Sequence, residues 1–410
     1  MTYPRIRLRY DKAKAHATIA ASICWLSVFA FVGLGTGNRS IFGPLKWSDF
    51  VHFYTLGDIA RTHDSSLLYD AIGQHARQAA LVPASAEDGF IPVYAPQTAL
   101  LFAPLSQLPY FAAGLVWALV TMGIYGGAVW LAWRPARLVL PDRRFLVAAA
   151  LAFPPVWQLT IHGQTTAFLL AAFAGGWWAL EADRRVLAGL AFSLVSIKPQ
   201  FGLVLAPVAI LAGEGRLIAG VLIGIALQVL AAVAVFDASV FRAYAETVRR
   251  IPALTEFLEP QAFKMHSLRA LTHLLPGPVD LLVWGVLSVT VIAATVCVWR
   301  RSQPWRIRLG VLVLASALVN PHLTIYDATV LVLPIIWIGG WLLEHQAQTD
   351  WYWQRVYWLG VALLIPTAAI VKVQISPILM AALFVQIVRI ACRAHLTSNR
   401  LAEHPSVDGP

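Results

Sequence analysis

The chain has 410 residues, 59% of them hydrophobic and 13% charged, with a formal net charge of +10. A soluble domain has about a quarter of its residues charged, so an ordinary water-soluble globule is excluded. The excess of Lys and Arg falls mostly in short loops between apolar runs, so it reports topology and not a nucleic-acid partner.

Apolar windows of roughly 20 residues, enough to cross a hydrocarbon core of ~30 Å, recur from end to end. Lipid-exposed backbone must close its hydrogen bonds within each segment, so the expected fold is an all-α polytopic membrane protein. The first span, 17–35, follows Arg5, Arg7, Arg9, Lys12 and Lys14. It lacks the small-residue cleavage site of a secretory signal and reads as a retained helix. A polar outer loop, about 36–93, carries Asp49, Asp58, Asp64, Asp70, Glu87 and Asp88. Tyr94-Ala-Pro-Gln97 then opens a Pro-punctuated stretch that dips into the membrane before a full span at 110–133. Further spans are expected at 145–161, 165–180, 186–197, 201–213, 217–236, 279–299, 308–320, 328–343, 356–372 and 377–391, about 12 in all.

The piece 186–213 is either one helix broken at Pro199 or two short spans. Charge favours two, because both termini are then cytoplasmic. The clusters Arg134/Arg137/Arg143/Arg144 and Arg300/Arg301/Arg306/Arg308 then face inward. A second large outer loop is then 237–278. Residues 1–393 form a single transmembrane domain, and the polar tail 394–410 is expected to be a disordered cytoplasmic segment. Cys24, Cys297 and Cys392 each sit in an apolar run and read as small buried apolar residues, with no metal spacing.

Four polar clusters stand at span ends: Trp47-Ser-Asp49-Phe50, His162-Gly-Gln164, Lys198-Pro-Gln200, and Asn320-Pro-His322 with Tyr326-Asp327. In this topology all four share the outer face, although the spans were drawn from hydropathy and charge alone. Each has a plain alternative. Asp49 as a lone loop Asp is more often a cap or a solvated turn, and Gln164 reads equally as a helix cap. Lys198 snorkelling to headgroups is as good a reading as phosphate binding. Trp47, Trp157 and Tyr326 suit an aromatic belt, and Asn320-Pro-His322 a helix-breaking cap. Taken together the plain readings require every residue to be incidental at one boundary, whereas intramembrane ionisable groups mark function by default.

A carboxylate, an imidazole, an amide and a lysine at one interface suit glycosyl transfer. An Asp takes the acceptor's hydroxyl proton, and a Lys anchors a departing phosphate as a point charge. An amphiphilic leaving group keeps its chain in lipid and its phosphate beside Lys198. No Walker-type or Gly-rich nucleotide motif occurs, which disfavours a nucleotide-sugar donor.

The order of motifs resembles the family 87 glycosyltransferases: Asp49 in the first outer loop, Tyr94-Ala-Pro with Pro104-Leu105, Gly163-Gln164, Lys198-Pro199, His266-Ser267-Leu268 and Asn320-Pro-His322 with Tyr326-Asp327. It is strongest over about 45–330. The resemblance implies the glycosyltransferase C architecture and a polyprenyl-phosphate sugar donor, mannose first among the sugars. It also implies a glycolipid or glycan acceptor and an inverting, metal-independent transfer without a cofactor. Asp49 is implied as the general base and His322 as its helper near acceptor or phosphate. Lys198 and Gln164 are implied to hold the donor, with Tyr94, Asn320 and Tyr326 shaping the pocket. Lys264 and His266 are implied to close over the donor. One departure bears on sugar or lipid specificity: Met265-His266-Ser267-Leu268 stands where the family often has Asn-Gln-Ser-Leu.

Two other classes fit parts of this pattern. A secondary transporter of a sugar or lipid suits many spans and broken helices, but its polar groups belong near the midplane. A non-catalytic envelope subunit has no need of Asp49, Lys198 and His322 together.

Overall fold

The computed structural model describes residues 10–254, 262–345, 349–364 and 372–403. Among them the chain is helical as expected, and strand pairing is limited to one isolated bridge between Arg39 and Leu45. After α1 (Tyr10–Gly33), the segment expected as a polar outer loop folds into α2 (Phe50–Thr62) and α3 (Ala71–Leu81), and α4 (Gln97–Phe102) docks on α2. Every residue from Phe50 to Ala60 is buried. Gly57 permits the close approach, since a Cβ there would lie 2.4 Å from the Phe102 carbonyl oxygen. The rings of Phe50, Phe53, Phe102 and Trp117 pack at 4.9 to 6.2 Å between centroids, within the range for favourable aromatic pairs. Asp58 is buried within this unit between the guanidinium groups of Arg61 and Arg77. Its charge is therefore compensated inside the folded loop.

α5 (Tyr110–Trp133) runs the length of the bundle. α6 (Arg143–Leu151) starts where the Asp142 carboxylate accepts from the N–H groups of Arg144 and Phe145, an N-cap. Pro154 and Pro155 stop it, having no N–H to donate, and α7 (Pro154–His162) continues at 54° to α6. α7 ends at Gly163, whose φ of +70° is the left-handed C-cap conformation. α8 (Thr166–Glu181), α9 (Arg185–Phe192), α10 (Gly202–Leu211) and α11 (Gly215–Phe236) follow.

α9 and α11 run parallel. Val186 meets Gly220, Ser193 meets Gly224, and Ser196 bonds Gln228, so the register advances in step along both. The chain must therefore turn back at Lys198-Pro199 and return through α10, as two short helical pieces. Gly189 and Gly220 bring the two backbones into contact: a Cβ on either would stand 2.1 Å from a carbonyl oxygen of the other helix. Gly189→Leu is expected to lower the unfolding midpoint in detergent by the equivalent of about 1–3 kcal/mol or more, the usual overpacking range. Gly123→Leu, with nothing within 4 Å of its added Cβ, serves as the unaffected control.

α12 (Ser239–Arg250) and α13 (Leu268–Thr272) fold within the second outer loop, whose residues 255–261 lie outside the described residues. α14 (Pro278–Trp299), α15 (Trp305–Val319), α16 (Val332–Glu344), α17 (Thr349–Leu364) and α18 (Ser376–Glu403) complete the bundle. α15 is its centre, with every residue from Leu309 to Val319 buried. α18 runs into the tail expected to be disordered from 394, and 404–410 lie outside the described residues, as do 365–371 of the span expected at 356–372.

Five stretches are each long and apolar enough to cross a membrane among the described residues: Lys12–Gly33, Tyr110–Ala136, Gly215–Phe236, Pro278–Trp299 and Asp327–Glu344. The α6–α7 pair makes a sixth if counted as one span. Among the described residues the other expected spans fall in helices that are shorter or less apolar, so a count of 12 does not follow from helix length. Of the cysteines only Cys24 is buried; Cys392 is half-buried and Cys297 exposed. Cys297 therefore departs from the buried reading, because the outer face of an apolar helix can look into lipid as well as into a core.

The bundle has two polar ends. At one lie the ion pairs Lys14–Asp142, Arg185–Glu214 and Arg306–Glu344. The other, reached along α8 after about 24 Å of helix, carries the candidate site.

Candidate active site

Asp49 stands just before α2, and its backbone N–H donates to the His162 carbonyl at 3.1 Å. Gly163 makes this junction possible: its φ is positive, and a Cβ there would stand 2.6 Å from the Phe50 Cβ. The Trp117 indole N–H donates to the Gly163 carbonyl and fixes the turn. Thus Asp49 and Gln164, 115 positions apart, meet: the Gln164 amide donates to Asp49 Oδ2 at 2.8 Å. Ser48 donates to Asp49 Oδ1 at 3.1 Å, and His162 Nδ1 lies 3.6 Å from the same oxygen. Burial by itself would raise the Asp49 carboxyl. The hydrogen bond and charge of His162 when its ring is protonated, then the bonds from Gln164 and Ser48, outweigh it and hold Asp49 below the ordinary carboxylate value. The carboxylate is thus ionised at neutral pH.

Tyr94 joins through its hydroxyl, which donates to the Gln164 side-chain oxygen at 3.4 Å. Burial pushes its phenol up, so it stays a protonated donor. Tyr326 lies with its ring 5.7 Å from the His162 ring, and burial likewise raises its phenol. Lys198 also meets this ring, its ammonium 5.0 Å from the Tyr326 ring centroid. Lys198 donates to Asp327 at 2.5 Å and to Thr166 at 3.3 Å, with both charged side chains almost fully buried. Thr166 and Thr324 donate to the same Asp327 carboxylate. In this state the lysine's charge is balanced by Asp327.

Asn320 is fully buried and accepts the His322 backbone N–H through its side-chain oxygen, while its amide nitrogen has no partner among the described residues. The His322 ring is half-buried on the same loop, between Asn320 and Tyr326. His266 is tied to this loop by its backbone N–H, which donates to the Leu323 carbonyl at 2.8 Å. Its ring is buried against the Ser376 hydroxyl at 2.7 Å, and burial pushes it down to about 4, so it is neutral. Lys264 is exposed, and its carbonyl accepts from Gln374. The structure therefore brings Asp49, Gln164, Tyr94, Tyr326 and Lys198 into one contact network and sets Asn320 and His322 on its border. Lys264 and His266 belong to a clamp against residues 374–376. Ser48, Thr166 and Gln158 were missed, because a small hydroxyl or amide in an apolar chain carries no sequence signal of its own.

An all-helical membrane protein, with ionised and buried polar side chains converging at one end of an apolar bundle, is the class that fold and site define. The model of glycosyltransferase family 87 matches residues 92–321, more than half of the chain, and the protein belongs to that family. It is accordingly a membrane glycosyltransferase and not a transporter. The matched segment contains Tyr94, Gln164, Lys198, Lys264, His266 and Asn320, while Asp49, His322 and Tyr326 lie outside it. No curated protein and no solved structure matches the chain.

Proposed function

We propose that the protein moves a sugar, mannose first, from a polyprenyl-phosphate donor to a glycolipid or glycan acceptor at the outer face of the plasma membrane. The acceptor hydroxyl, deprotonated by Asp49, attacks the anomeric carbon in line, and polyprenyl phosphate departs with inversion. The shorter apolar helices complete a multi-pass bundle of the glycosyltransferase C type with both termini cytoplasmic. The basic end, with Arg134, Arg137, Arg300 and Arg301, supports that orientation through the positive-inside rule.

The observation that carries this reading is an apolar cavity of about 520 Å³ between α9, α10 and α11, lined by residues next in sequence to members of the polar cluster. The cavity is walled by Leu205, Val221 and Ile225, with Phe241 and Tyr244 of α12 also in its lining. Its lining includes Ala95 and Pro199, the immediate neighbours of Tyr94 and Lys198. A donor that is an apolar chain ending in a phosphate and a sugar needs such an arrangement, and a water-soluble nucleotide sugar does not.

The test is transfer of radiolabelled sugar from a panel of polyprenyl-phosphate sugars, in membranes with chelator present. Ala206→Trp, which fills the cavity, is expected to raise the donor KM at least about tenfold. That corresponds to the loss of two methylenes' burial at ~0.8 kcal/mol each. A donor with a truncated chain should feel it less. Silence of the wild type across the panel would sink the lipid-linked donor.

A further inference from the structure

Behind Asp49 lies a second proton acceptor. Ser48 Oγ stands 3.1 Å from Asp49 Oδ1 and 2.9 Å from His162 Nδ1, and His162 Nε2 is 3.1 Å from the Gln158 side-chain oxygen. With the Gln158 oxygen accepting from Nε2–H, the neutral ring carries its lone pair on Nδ1. Ser48 has one hydroxyl proton for two neighbours, Nδ1 and Oδ1. One further proton, arriving on Oδ1, satisfies the whole chain, with Asp49 donating to Ser48 and Ser48 to His162.

We propose that His162, acting through Ser48, stores the proton that Asp49 removes during sugar transfer. The proposal rests on the transfer reading above. As the acceptor oxygen bonds to the anomeric carbon, its proton passes to Asp49, and the pair of the breaking C–O bond leaves on the phosphate. Asp49 then gives its proton to Ser48 Oγ while Ser48 gives its own to His162 Nδ1. The imidazolium, its side chain 33% exposed, releases the proton to water once product has left.

The need for such a store follows from the site. A carboxylate taken alone is a weak base toward an acceptor hydroxyl. An imidazole is ordinarily more basic than a carboxylate by about 2 to 3 units, so handing the proton on makes its removal less unfavourable. The neighbouring groups do not compete for it. Tyr94 and Tyr326 keep their own protons, and burial pushes His52 down to about 4, so it stays neutral. The Lys198–Asp327 pair beyond Tyr326 is internally compensated. The backbone bond between Asp49 and the His162 carbonyl does not depend on the imidazole, so the ring can be removed without undoing the turn.

His162→Gln is expected to lower kcat about 10²-fold, the lower range for a positioned proton acceptor, at unchanged donor KM. Ser48→Ala should do the same and Ser48→Thr should recover. His162→Gly should regain activity with added imidazole, in order of basicity across substituted imidazoles, whereas Asp49→Asn should not. Wild-type kcat in His162→Gln overturns the relay, and so does a His162→Gly enzyme that imidazole leaves unchanged. In both cases the transfer reading survives. A wild type silent with every donor removes the transfer reading and the relay with it.

Discussion

Asp49→Asn is expected to reduce sugar transfer about 10²- to 10⁴-fold, the contribution of a general base, while leaving the fold intact. The substitution is close to ideal for separating the two effects. The asparagine oxygen can accept the Gln164 amide now bound to Asp49 Oδ2, and its amide can turn toward Ser48 and His162, which both have lone pairs to offer. Every hydrogen bond then has a substitute, and only the proton acceptor is gone. Because the folded-state carboxyl is depressed, its stabilisation is fully present above the unfolded value of about 3.9. That stabilisation is lost as the pH falls through the folded value. Wild type should therefore lose stability to acid in that window more steeply than Asp49→Asn, an effect visible in unfolding midpoints measured against pH. Full transfer by Asp49→Asn, together with loss in a folded Asp58→Asn, would hand the base role to Asp58. The enclosure of Asp58 by Arg61 and Arg77 makes it a structural ion pair instead, whose loss should show first in expression and unfolding.

Much of this arrangement was legible from hydropathy and from the price of polar groups in lipid. The clusters around Asp49, Gln164, Lys198 and Tyr326 were drawn to one boundary by span ends alone, and the structure joins them by hydrogen bonds and ring contacts. The turn at Lys198-Pro199 was readable because proline stops a helix and the arginine clusters fix parity. The folded outer loop was not readable. A window long enough to find a span averages the short aromatic helix Phe50–Thr62 with the acidic residues beyond it. Which partner a buried charge chooses was also hidden. Lys198 and Asp327 lie 129 positions apart, and Thr166, which bridges them, is one threonine among many. The burial of His266 against Ser376 depends on the start of α18, 110 positions away.

The Lys198–Asp327 pair sets the second large effect. Removing one partner strands the other charge in a site where both side chains are 4% exposed or less. Asp327→Ala or Lys198→Ala is accordingly expected to destabilise the protein by about 3–5 kcal/mol. The double variant Lys198→Met/Asp327→Leu should recover most of that loss, because it removes two desolvated charges and refills their volume. Unfolding midpoints in detergent for the four corners of the cycle measure this directly. The double variant also decides what the lysine does in catalysis, since it folds without the ammonium. The ammonium donates to Asp327 and Thr166 and lies over the face of Tyr326. An arriving phosphate must therefore share Lys198 with a carboxylate, which repels it. If the lysine does anchor the donor phosphate, the double variant should show a raised donor KM despite its restored stability. An unchanged KM would make the pair a strut that holds Tyr326 over His162, and would move phosphate binding to the border residues Asn320 and His322.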